Sequence, residues 1–179
     1  MTLIELLTTM SILAFVLTGV VAMFVSGLHA EVDMNQRFQA QQDARLALSS
    51  LRNEVGSACS ETVYTSAGVP AANGAAGKIL TLGEGCTDGV SSTTVTWCAD
   101  SSAGAPYSLY RQTGTSCTYN GGGITKAGSL TTNLVFTKLA PSGQRPQLQA
   151  TFPVDANLAK AGGAYTLSDT IMLRNAAVS

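Results

Sequence analysis

Charge is what this chain has least of. Across 179 residues, Lys and Arg number 10 and Asp and Glu 11, which is 12% of the residues and a net charge of −1. That scarcity removes the electrostatic footprint of a nucleic-acid binder. Arg111, Lys126, Lys138, Arg145, Lys160 and Arg174 are scattered and form no stripe. Histidine is nearly missing too. The single His29 lies far along the chain from any nucleophile–acid pair, so no catalytic set assembles and no enzyme is expected. The four cysteines, Cys59, Cys86, Cys98 and Cys117, include no Cys-x-x-Cys pair, and zinc would need all of them at irregular spacing. Asp88 and Asp100 sit among Gly and Ser without the oxygen spacing of a calcium loop, and turns explain them. Gly121–Gly123 is not followed by Lys-Ser/Thr, which excludes a phosphate loop. No cofactor and no metal are expected. An even cysteine count beyond the amino-terminal segment points to two disulfides in an oxidising compartment. Three pairings are possible. Joining neighbours along the chain gives Cys59–Cys86 and Cys98–Cys117.

What is present is grease. From Leu6 to Leu28 no side chain is ionisable, and as a helix this stretch spans roughly 35 Å, enough to cross the hydrocarbon core of a bilayer. In lipid only a helix satisfies its own backbone there. A secretory signal would carry a basic first region and a shorter apolar run, and neither is found. Glu5 is the exception at the edge of this run. A carboxylate there is expensive unless paired. Thr2, Thr8, Thr9 and Ser11 can bond back to the helix but are not charge partners. The α-amino group of Met1 is the nearest cation. If two such helices pack in parallel with an axial offset, Glu5 of one meets the amino terminus of the next.

Met1-Thr2-Leu3-Ile4-Glu5-Leu6-Leu7, followed by the long apolar run, resembles the mature amino terminus of bacterial type IV pilins and type II secretion pseudopilins. The resemblance covers the amino-terminal helix, about the first third of the chain. It implies that Met1 is the processed first residue, left by a prepilin peptidase that also methylates the new amino terminus. It implies a homo-oligomeric helical filament, handled by an assembly machinery in the inner membrane and displayed outside the cell afterwards. Met1 stands where the family usually has Phe. No Pro interrupts the apolar helix as it does in many members, so Gly19 is the expected point of local loosening inside a filament.

Neither Pro nor Gly occurs between Leu28 and Val55, and the helix is expected to run on through this stretch. There the pattern becomes one-sided, with Ala44, Leu48, Leu51 and Val55 at helical spacing and Cys59 one turn on. Gly56 marks the expected end. From Glu61 to Gly77 the composition shifts to Thr, Ser, Ala, Gly and Pro, and Val69–Gly77 reads as loop. Strand-like runs follow at Lys78–Leu82, Thr93–Cys98, Tyr107–Gln112, Asn133–Leu139, Gln147–Phe152 and Thr170–Leu173. Thr93–Cys98 and Tyr107–Gln112 read as a hairpin, and Gly114–Gly123 as a mobile surface loop. The expected fold class is α+β: a long helix, apolar in residues 1–28 and amphipathic in 29–58, packed on a mostly antiparallel sheet in 59–179. Residues 45–55 and 167–175 also resemble, more loosely, the larger minor pilins and the pseudopilin-J-like branch. The leading expectation is a filament subunit, either the bulk pilin or a minor or pseudopilin subunit. The alternative is a monomeric single-pass membrane protein that displays an adhesion domain.

Overall fold

The computed structural model describes residues 2–85, 92–101, 104–115, 117, 123–140, 142–158 and 163–176. Among these residues one α-helix, α1 (Leu3–Ser57), precedes ten strands. They are β1 (Ser60–Ser66), β2 (Val69–Pro70), β3 (Ala76–Gly77), β4 (Ile79–Glu84), β5 (Thr93–Asp100) and β6 (Tyr107–Thr113). After them come β7 (Ile124–Leu130), β8 (Phe136–Leu139), β9 (Gln147–Val154) and β10 (Tyr165–Met172). The chain divides into two compact units, Met1–Gln36 and Arg37–Ser179.

In the second unit the strands form one curled antiparallel sheet in the order β2-β1-β4-β5-β6-β7-β9-β8-β3, with β10 added on β9. The curl brings β3 back against β1. A Cβ on Gly77 would lie 2.5 Å from the Tyr64 carbonyl oxygen and 2.5 Å from Val63 Cγ1, so only glycine fits there. The apolar stripe of α1 is buried: Ala40, Ala44, Ala47, Leu48, Leu51 and Val55. It shares one core with Trp97, Leu109, Phe136, Leu148 and Phe152, and the two phenylalanine rings meet edge-on at 6.4 Å. Helix becomes sheet almost without a loop. Ala58 N–H still donates to Glu54 at 2.9 Å, and the next donor, Cys59 N–H, already reaches Gly83 at 3.0 Å.

Four strands were not expected. The short β2 and β3 fall within Val69–Gly77, which reads as loop in the sequence. β1 carried no strand expectation either, yet Glu61 and Val63 are buried at alternate positions and Ser60–Tyr64 pairs with β4. β7 escaped because its alternation is broken. Its pairing with β6 slips in register at two places, and Ser129 takes φ 61° beside Gly128. Of the stretch Gly114–Gly123, only residues 114, 115, 117 and 123 are described.

The curl also buries an acid. The Glu61 side chain on β1 is 1% exposed and faces Lys138 of β8, with Nζ 3.8 Å from Oε1. Among the described residues, neither carboxylate oxygen accepts a hydrogen bond. Burial pushes its pKa up to about 7, against the opposing pull of Lys138. Because the folded value lies above the unfolded one, stability from this group is complete below the unfolded pKa and is lost as pH rises toward about 7. Glu84, raised by burial and by Glu54, works in the same direction. The full chain in detergent should therefore resist urea better at pH 5 than at pH 8. Glu61→Gln should remove most of that difference, on the order of 2 kcal/mol, and a slope unchanged by the substitution would contradict this account.

Candidate assembly surface on the amino-terminal helix

Every residue from Thr2 to Val32 is exposed. Sixteen large apolar side chains between Leu3 and Leu28 are in the open, with Phe15 82% and Met23 80% exposed. Helix length and a mean hydropathy of 2.3 over its most apolar window make α1 able to cross a membrane. At about 1.5–3 kcal/mol for each large side chain taken out of water, the exposed surface represents tens of kcal/mol. Net folding stabilities are about 5–15 kcal/mol. Such a surface must be covered, by lipid or by other helices.

Glu5 has a partner on its own chain. Thr2 N–H donates to Glu5 Oε2 at 2.8 Å, and the Thr2 hydroxyl lies 3.3 Å from the same oxygen. Glu5 N–H in turn donates to the Thr2 carbonyl at 3.1 Å. Here the N3 glutamate of a Thr-x-x-Glu box reaches back to the N-cap amide and satisfies a donor that the helix cannot. The carboxylate also sits at the positive end of the helix dipole. The motif is legible in the sequence as Thr2-Leu3-Ile4-Glu5, a Thr-x-x-Glu box that a count of charge partners does not reveal. Thr8, Thr9, Ser11 and Thr18 bond back to carbonyls one turn earlier. Met1 lies outside the described residues. α1 is regular through Gly19 and Gly27, and a Cβ at either would meet nothing within 4 Å.

The remaining candidate residues lie in the second unit or outside the described residues. Cys98 of β5 and Cys117 have their sulfur atoms 2.15 Å apart. Cys59 is disulfide-bonded, and Cys86 lies outside the described residues, as does Asp88. Asp100 Oδ1 accepts from the Ser101 amide at 2.9 Å, a local turn contact. Among the described residues no three His, Cys, Asp or Glu side chains are grouped to hold a metal.

One polar constellation was invisible in sequence. Trp97 of β5 and Arg111 of β6 are direct cross-strand partners, and Glu54 of α1 reaches both. Trp97 Nε1 donates to Glu54 Oε2 at 2.6 Å, and Arg111 Nε donates to Oε1 at 2.5 Å. The ion pair is three-quarters or more buried on both sides, with 25% and 18% exposure. It fixes the rotation of α1 on the sheet, since a turn of the helix would strand three polar groups.

Comparison with family models, with curated proteins and with solved structures finds no match.

Glu54→Ala should cost about 2–3 kcal/mol, because Arg111 and the Trp97 indole then lack their shared acceptor. Urea unfolding of the full chain, followed by the fluorescence of the single tryptophan, measures it. Glu54→Gln should lose roughly half as much, because the amide oxygen still accepts one bond. A midpoint unmoved by the alanine substitution would show that the clamp contributes nothing.

Proposed function

We propose that the chain is the structural subunit of a helical extracellular filament of the type IV pilus kind. It would be held in a bacterial inner membrane through its amino-terminal helix before assembly. In the fibre, the apolar helices of neighbouring copies would bury one another, and Glu5 would pair with the amino terminus of an adjacent copy. A minor or pseudopilin subunit of such a filament is the variant within this class. The observation that carries the proposal is the exposed, charge-free apolar run Leu6–Leu28, on the same helix that enters a folded α+β unit.

The hydrogen bond from Thr2 to Glu5 favours a second reading, a monomeric membrane anchor whose Glu5 serves only as a helix cap. The two separate on one pair of substitutions. Glu5→Gln keeps the cap, since glutamine fills the same position of the box, but removes the charge. Glu5→Ala removes both. The filament proposal expects both variants to insert normally and both to lower the yield of sheared fibres at least tenfold. A Glu5→Gln strain with wild-type fibre yield would leave capping as the whole role of this residue. A wild-type strain that forms no fibres would leave the anchor.

A further inference from the structure

Among the described residues the sheet has one long edge left uncovered. There β10 pairs with β9 alone, in an unbroken register from Tyr165↔Val154 to Met172↔Gln147. Leu173 N–H continues that ladder by donating to the Pro146 carbonyl at 3.1 Å. Hydrogen-bonded positions alternate along an antiparallel ladder. Counting back from Leu173, residues Tyr165, Leu167, Asp169 and Ile171 therefore turn their main-chain groups to β9. Thr166, Ser168, Thr170 and Met172 turn theirs away. The side-chain contact of Ser168 with Thr151, 3.1 Å between hydroxyls, agrees, because side chains approach most closely at the non-bonded positions. All four outward residues are exposed, and among the described residues none has a main-chain partner beyond the strand. An open groove of about 620 Å³ lies between the last half of the strand and Arg52, Asn53, Gly56 and Ser57, so α1 does not fill the space beside it.

Proteins blunt such edges with Lys, Pro, bulges, inward-pointing charges or very short strands. The other two ends of the sheet are two residues each, β2 and β3, with Pro70 in β2. β10 is eight residues long, YTLSDTIM, with no proline and no basic residue, and its one inward charge, Asp169, is neutralised by Arg52.

We propose that the free edge of β10 is an interface between two copies of this chain, paired as antiparallel strands about a two-fold axis at Ser168. That register sets Ser168 against Ser168 and Thr166 against Thr170 of the second copy, and every outward amide and carbonyl between them is satisfied. The neighbouring register, with its axis at Asp169, would set like charges directly opposite each other. The Ser168 register instead places Asp169 against Leu167 and leaves the carboxylate with its own Arg52, 2.7 Å away. With a net charge of −1 per copy, little opposes approach. The strands meet along roughly 27 Å, a contact at the low end of interface sizes, weak for two isolated chains and strong when many are displayed together. This contact is independent of whether the chain forms a filament.

The test is cysteine pairing in the purified full chain in detergent, read on a non-reducing gel. Hydrogen-bonded antiparallel partners have Cα atoms about 5.5 Å apart, within disulfide reach. Ser168→Cys should give a covalent dimer under mild oxidation. Thr166→Cys and Thr170→Cys alone should give at least tenfold less, and an equimolar mixture of those two should restore it. Thr170→Pro, which removes an outward amide and leaves the β9 ladder intact, should lower the Ser168→Cys dimer at least tenfold. The interface is overturned if Ser168→Cys stays monomeric or joins only a protein of another mass. It is equally overturned if Thr166→Cys alone dimerises as well as Ser168→Cys, since chance collision would then suffice. The three single-cysteine chains keep the test decisive if the proline variant does not fold.

Discussion

The constraint on which the rest depends is an apolar surface that the chain cannot bury in itself. Sixteen large side chains from Leu3 to Leu28 are exposed, and no charged group after Glu5 dilutes them. Water opposes that surface by more than a typical fold is stable. The molecule is therefore incomplete as a solitary soluble chain, and its environment, lipid or neighbouring helices, must supply the missing half of the contact. Packing among helices in lipid gains little from hydrophobicity alone and depends on close fit and polar contacts. For that reason the proposed packing would draw its specificity from Glu5, the one acid in this segment.

Residues 37–57 of the same helix obey a different rule. Ala40, Ala44, Ala47, Leu48, Leu51 and Val55 are buried against a sheet, and Arg52 and Glu54 are held by specific partners. Glu54 is the clearest case, holding Trp97 and Arg111 at once. One helix thus changes role along its length. The change is written as a switch from apolar on all sides to apolar on one stripe.

How much of this was legible follows from how local each feature is. The helix, its stripe and the runs of β4, β5, β6, β8 and β9 could be read because periodicity and composition act over a few residues. The helix cap was equally local and equally legible as a Thr-x-x-Glu box. β1 was hidden by Ser, Thr and Glu, whose inward positions only make sense once β4 lies beside it. The Glu54 clamp and the buried Glu61 facing Lys138 could not be read at all. Each joins residues far apart in the chain, brought together by strand register and by the curl of the sheet. The free edge of β10 belongs to the same kind: its strand was partly visible as Thr170–Leu173, but that it ends the sheet is a fact of topology.

A density map of the chain's native assembly tests the central claim most directly. The account predicts parallel amino-terminal helices packed about 8–10 Å apart, their Leu3–Leu28 side chains interleaved and each Glu5 carboxylate beside the amino terminus of an adjacent copy. A map in which single helices stand apart in lipid, with that carboxylate met only by its own Thr2, would contradict it.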